Sequence, residues 1–194
     1  MGDAAAELVA RAKSGERSAF DDLVRETYAD TYALAFRLTG NEDDACDVLQ
    51  DAYLRAYRSL KRFRGDAAFS TWMYRITANC ATTHMVRRGR ARHEELDRDA
   101  PVTDGRIDGD PEAMASVTLE LGRVALALQE LPPRLRAVVV LRDIYDLPHE
   151  AIASELGISE AAAKVRLHRA RKKLRERLFP TRGERQAEER ARAV

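Results

Sequence analysis

Three observations predict an all-α fold. Apolar residues recur at i, i+3, i+4 and i+7 in both halves of the chain. Glycine and proline are sparse inside the halves and gather between them. No segment sustains the apolar/polar alternation of a half-buried strand. The predicted architecture is two small helical domains, residues 1–92 and 113–180, joined by a flexible acidic linker over 93–112 and followed by a disordered charged tail over 181–194.

In chain order, Phe20, Leu23, Val24 and Tyr28 open the first apolar stripe. The helix that follows, Asn41 to Leu60, carries Ala45, Val48, Leu49, Ala52, Tyr53, Ala56, Tyr57 and Leu60 on one face over four turns. Asn41 is its predicted N-cap, and Glu42, Asp43 and Asp44 favour its first turn, where the helix dipole is positive. Phe69, Trp72, Met73, Ile76 and Cys80 form a third stripe, so the N-terminal block reads as a bundle of about four helices with Trp72 in its core. The stretch HEELDRDAPVTDGRIDGDPEA, His93 to Ala113, has no apolar period and is broken by Pro101, Gly105, Gly109 and Pro111.

The C-terminal block contains a helix-turn-helix pattern. A helix from about Pro148 to Leu156 is ended by Gly157 in a left-handed conformation, Ile158 plugs the corner, and Ser159 caps a second helix. Ile152, Leu156, Ile158, Ala163, Leu167 and Ala170 would share a small core with Val138, Val139 and Leu141. Burying that face leaves Lys164, His168, Arg171 and Arg175 at i, i+4, i+7 and i+11 as a cationic stripe, flanked by Arg166, Arg169 and Lys172. Such a helix suits the major groove: Lys164, His168 and Arg169 are candidates for base contacts, and Arg166, Arg171, Lys172 and Arg175 for phosphates.

The formal net charge of +1 conceals an uneven distribution. NEDDACDVLQD, Asn41 to Asp51, holds acids and no cation, whereas KVRLHRARKKLRER, Lys164 to Arg177, holds Glu176 as its one acid. Separate acidic and basic surfaces point to a protein partner at one place and a polyanion at another. Opposite the buried stripe of the Asn41–Leu60 helix lie Asp47, Gln50, Asp51 and Leu54, a leucine rimmed by polar groups that suits a protein surface. Next come Lys61, Arg62, Phe63, Arg64 and Gly65 in a loop, then a helix rich in Phe, Trp, Tyr, Thr and Asn. Cations among aromatics and amides are the chemistry of single-stranded DNA recognition, and Phe63, outside any stripe, is expected to be exposed. The two cysteines lack Cys-x-x-Cys spacing and the four histidines are scattered, so no metal or cofactor is expected, and Cys46 and Cys80 read as small packing residues. With no long apolar run and no charged-then-apolar leader, the chain is expected to be soluble, cytoplasmic and not inserted in a membrane.

Two motifs carry a resemblance. DVLQDAYLRAYRSLKRFRGDAAFSTWMYRITAN and LPPRLRAVVVLRDIYDLPHEAIASELGISEAAAKVRLHRARKKL resemble, in the same order, the two domains of extracytoplasmic-function (ECF) sigma factors. The resemblance implies a transcription initiation factor that acts on no small-molecule substrate. Its partners would be core RNA polymerase, promoter DNA and an anti-sigma factor. Asp47, Gln50, Asp51, Leu54 and Arg55 would dock on the polymerase clamp helices. Lys61, Phe63, Arg64, Gly65, Asp66 and Ala67, with Asn79 below them, would hold a flipped base of the minus-ten element. Lys164, Arg166, His168, Arg169, Arg171 and Lys172 would serve the minus-thirty-five element. The chain departs from the family where Ala161, Ala162, Ala163, Lys164 and Val165 replace a common Gly-Thr-Val-Lys/Arg-Ser run, removing two hydroxyls from the DNA side.

Two other classes stand beside this one. A stand-alone helix-turn-helix regulator would need a dimerisation seam, and no heptad or extra helix supplies it. An enzyme built on Asp43, Asp44, Asp47 and Asp51 would need a nucleophile, glycine-rich loop or metal spacing nearby, and the sequence has none there.

Overall fold

The computed structural model describes residues 2–95 and 115–180, with side chains described for 5–89 and 121–180. Among the described residues the order is α1 (Gly2–Lys13), α2 (Arg17–Thr39), α3 (Glu42–Ser59), a 3-10 turn (Leu60–Arg62), α4 (Phe69–Glu95), α5 (Ala115–Glu130), α6 (Pro133–Asp143), α7 (His149–Leu156) and α8 (Glu160–Leu178), with no strand. The all-α expectation holds. The predicted linker lies outside the described residues except for its helical start, His93 to Glu95, and the tail after Pro180 lies outside them.

Local chemistry sets the helix ends. Gly40 stops α2 with φ 85°, its N–H bonded to the Phe36 carbonyl at 2.8 Å. One residue later Asn41 caps α3, its Oδ1 accepting the Asp44 N–H at 2.9 Å. Ser159 caps α8 by accepting the Ala162 N–H at 3.1 Å, and Gly157 ends α7 with φ 61°. Pro148 is the N-cap of α7, one place earlier than the first-turn position read from sequence.

α2, α3 and α4 pack around Leu23, Leu34, Val48, Ala52, Ala56 and Met73. Three threonines enter this core because their hydroxyls are satisfied within the helix: Thr27, Thr31 and Thr77 donate to the carbonyls of Leu23, Thr27 and Met73. Tyr57 and Tyr28 lie at the edge of the packed face instead of inside it. Tyr57, 48% exposed, lays its ring edge-on against Phe20 at 5.0 Å. α1, without a stripe of its own in the sequence reading, is held by Val9 and Ala12 against this bundle.

α6 positions everything C-terminal to it. Val138, Val139, Val140 and Leu141 are consecutive and all buried, so the helix is covered on every side, by α8 and α7 on one and by α4 and α2 on the other. The helix-turn-helix core then follows as expected, with Ile152, Ala163, Leu167 and Ala170 buried and Leu156 and Ile158 partly so.

The two halves are therefore in direct contact. Arg136 of α6, 3% exposed, donates to the Leu38 carbonyl of α2 and to the Gln129 and Leu131 carbonyls at the end of α5. Gln129 donates to the Arg37 carbonyl at 2.9 Å. Tyr145, just past α6, packs on Tyr74 at 4.5 Å between ring centroids and accepts from Arg37 at 2.9 Å. Burial foremost, with Asp30 beside it, pushes the Tyr74 phenol up to about 12.

Gly40 is the residue this approach requires: a Cβ there would lie 2.5 Å from Gln129, and the backbone is left-handed. Gly40→Ala is expected to lower the unfolding free energy by about 1–2 kcal/mol through backbone strain. Gln129→Ala removes the clash and also the bonds to Arg37 and Arg136, so the clash is read as the coupling between the two changes rather than as net recovery. Denaturant titration of the two single variants and the double variant checks both.

Candidate nucleic-acid interfaces

The polar line of α3 is open to solvent, as its periodicity predicts. Asp47, Gln50, Asp51, Leu54 and Arg55 are all exposed, and Leu54 is 47% exposed on a polar line. Among the described residues, neither Asp47 nor Asp51 enters an ion pair. The pose of this face comes from Asp44, whose buried carboxylate takes His84 Nε2 at 2.8 Å, Asn41 Nδ2 at 2.6 Å and the Arg88 guanidinium. That cluster ties the first turn of α3 to α4. Beside it, Asp51, Arg55, Cys80, Thr83, His84, Arg87 and Arg88 line an open depression of about 470 Å³.

In the following loop, Lys61, Arg64, Gly65, Asp66 and Ala67 are exposed, and Gly65 turns the chain at φ 82°. Phe63 is the correction. It was expected to be exposed and is 9% exposed, with its ring perpendicular to Phe69 at 6.0 Å and 4.9 Å from Trp72. The loop must turn back to enter α4, and the ring closes the apolar end of the bundle as it does so. No local periodicity signals this, because its partners lie across the turn. The Lys13 ammonium, 50 residues away in sequence, donates to the Phe63 carbonyl.

Asn79 does not join the loop. It sits ten residues beyond Phe69, roughly 15 Å along the axis of α4 at 1.5 Å per residue. Its amide donates to the Glu155 carbonyl of α7 at 3.0 Å. Arg75, one turn earlier, pairs with the Glu155 carboxylate at 3.5 Å. Asn79 thus lines a groove with Arg134, Gly157, Ile158 and Arg166.

On α8, Lys164, His168, Arg169, Arg171, Lys172 and Arg175 are exposed, whereas Arg166 is half-buried in the groove just described. Several cations already have partners. Lys164 pairs with Glu160 at 2.6 Å within the helix, and Lys172 with Glu176 at 3.8 Å. Arg171 differs from the free phosphate contact expected of it. Its fork engages both oxygens of Asp143, at 3.0 and 2.5 Å, tying α8 to α6. Asp143 was missed because a carboxylate 28 positions away carries no local pattern.

The comparisons with known proteins agree with this geometry. Residues 23–91 match the family described as Sigma-70 region 2, and residues 121–174 the family described as Sigma-70, region 4. The RNA polymerase sigma-H factor of Pseudomonas aeruginosa is 36% identical over 182 residues, covering 90% of this chain and 93% of that protein. The chain belongs to the ECF sigma factors. The members SigW of Bacillus subtilis and sigma-E of Escherichia coli K12 are 34% and 33% identical to it, the matches covering 94% and 93% of those proteins. A further relative, the ECF RNA polymerase sigma factor SigE of Mycolicibacterium smegmatis, is 37% identical over 159 residues, and the match spans 61% of its length. CnrH, solved in complex with the cytosolic domain of CnrY, is 30% identical with a TM-score of 0.57, covering 89% of this chain and 95% of that one. As a sigma factor, the protein directs promoter-specific initiation by RNA polymerase, and its family consists of initiation factors rather than catalysts.

The cysteines of this sigma factor divide by environment. Cys80 is buried, and burial foremost pushes its thiol up to about 11, whereas Cys46 is exposed on α3 rather than packed. A raised pKa suppresses the reactive thiolate. Maleimide at pH 8 is therefore expected to label Cys46 and spare Cys80 in the folded protein, and to label both in denaturant, as read by mass spectrometry.

Proposed function

We propose the following division of labour. The α3 face of Asp47, Gln50, Asp51, Leu54 and Arg55 docks on core RNA polymerase. Lys61 and the turn from Phe63 to Ala67, together with Asn79, engage the melted minus-ten strand. The α8 face of Lys164, His168 and Arg169 reads the minus-thirty-five duplex, with Arg166, Arg171 and Lys172 on its phosphates. The parts would be a region 2 domain over 1–92 and a region 4 domain over 113–180, working in the cytoplasm. Among the described residues, no helix is long and apolar enough to cross a membrane.

The observation that carries this reading is that Asn79 of α4, a proposed minus-ten contact, lies in one groove with Arg166 of α8, a proposed minus-thirty-five contact. Their targets lie about 25 base pairs apart, roughly 85 Å at ~3.4 Å per pair. Both cannot be read in the docked arrangement, so promoter engagement requires the halves to part. The covalent path allows it: the residues between Glu95 and Ala115 span up to about 65 Å when fully extended. In the docked form the Asn79 amide is spent on Glu155, and parting the halves frees it for a base. A second protein that holds the halves together would silence the factor. CnrH was solved in complex with a second protein, the cytosolic domain of CnrY, and we propose that an anti-sigma factor is a partner of this chain.

Run-off transcription with core polymerase on pooled promoter fragments tests the reading: discrete transcripts should appear only when the protein is added. Asp51→Arg is expected to weaken binding to core polymerase by at least about tenfold through charge reversal at the docking face, with the unfolding midpoint unchanged. Lys164→Ala with His168→Ala should blur choice at the minus-thirty-five element in a promoter-library assay. The salt slope of duplex binding should fall by about one unit for the lost lysine contact. A double variant with wild-type promoter choice and salt slope would remove those two residues from DNA reading.

A further inference from the structure

Among the described residues, none from Arg64 to Ala67 takes part in a hydrogen bond, so this exposed turn depends on its two ends. At the far end, the Trp72 N–H bonds the Ala68 carbonyl at 3.1 Å and α4 begins. At the near end, the Phe63 N–H bonds the Leu60 carbonyl at 3.0 Å, and the Phe63 ring is wedged against Phe69 and Trp72. One more contact fixes that end. The Lys13 ammonium donates to the Phe63 carbonyl and stands 5.7 Å from the centroid of the same ring. Carbonyl oxygen and ring face both attract a cation, so the two contacts reinforce each other.

Lys13 can hold the turn because α1 is itself held. Val9 and Ala12 are buried, and α1 packs against α2, α4 and the 3-10 turn. The step from α1 to α2 is closed by the Arg11–Glu16 ion pair, by Ser14 Oγ donating to the Arg11 carbonyl at 2.7 Å, and by Gly15 at φ 105°. Arg11, aided by Ser18, holds the Glu16 carboxyl down at about 2. Gripping the Phe63 carbonyl sets the plane of the peptide between Phe63 and Arg64, and with it the direction in which the turn leaves.

We infer that Lys13 is a positioning residue for base reading: it orients the Arg64–Ala67 turn from a helix outside the two motifs that identify the family. This rests on the proposed role of that turn in engaging the minus-ten strand. In the assembled holoenzyme, Lys13→Met keeps most of the stem and removes the charge. With single-stranded oligonucleotides randomised across the minus-ten element, its base discrimination is expected to fall about five- to tenfold, the scale of one net hydrogen bond. Lys13→Arg should restore it, and core-polymerase affinity and the unfolding midpoint should stay at wild-type values. Arg64→Ala with Asp66→Ala serves as the control on the turn itself. If that double variant loses discrimination while Lys13→Met keeps it, Lys13 has no positioning role. Discrimination lost only together with stability, or not rescued by arginine, would mean that Lys13 merely holds the fold, and the inference falls. If the control is silent as well, the turn does not read bases, and the inference falls with that reading.

Discussion

A buried guanidinium organises this molecule. Arg136 has lost nearly all contact with water, and burial alone brings its pKa down to about 10, which leaves it charged at neutral pH. A charge in that position must be met by oriented dipoles. The structure meets it with main-chain carbonyls at helix ends, those of Leu38, Gln129 and Leu131, where the helix dipole is negative. One side chain thereby fixes the corner between α5 and α6 and also the approach of α6 to α2. The side-chain oxygen of Gln129 adds an acceptor for Nη1, while Nε is buried without one, and that bond places Gln129 against Gly40 and makes glycine the fitting end for α2.

What was legible in the sequence was what short-range chemistry decides. Asn41, Gly157 and Ser159 act through neighbours within four positions, so their caps could be read directly. The polar line with Leu54 on α3 and the cationic line of α8 were visible for the same reason, because helical periodicity sorts faces without knowledge of the partner. What local pattern does not carry shares a different cause. Phe63 is buried by rings on the far side of a turn, Arg171 pairs with a carboxylate on another helix, and Asn79 bonds a helix 76 positions away. Cys46 reads as a packing group by residue type and Tyr57 by its place in the apolar stripe, whereas both are exposed, because α3 has more apolar positions than its neighbours cover.

The ion pairs on α8 are compatible with the DNA contacts proposed for it. An exposed intrahelical pair such as Lys164–Glu160 is screened by water and adds little to stability. That is little beside what a phosphate or base edge offers the same lysine, so the pair keeps the side chain ordered without withholding it. Glu160 keeps a reason to stay when Lys164 leaves, because it lies in the first turn of α8 at the positive end of the dipole. Arg171 with Asp143 is another case: two parallel bonds to one carboxylate join the recognition helix to α6 and hold its angle.

The interface between the halves is constrained from both sides. Under the proposed division of labour it would have to be strong enough to hold Asn79 away from stray single strands, and weak enough for polymerase and promoter to undo. Its composition suits that balance. At the Asn79 edge the contacts include one amide-to-carbonyl bond, the Arg75 guanidinium at 3.5 Å from both Glu155 and the Ser154 hydroxyl, and a pair of tyrosine rings, each contributing about 1 kcal/mol. The covered flank of α6 adds an apolar term whose loss on opening would expose valines to water. A surface that opens on those terms needs a new cover, and the protein that supplies it decides whether opening is productive. Polymerase and an anti-sigma factor would then compete for one conformational equilibrium instead of one static site.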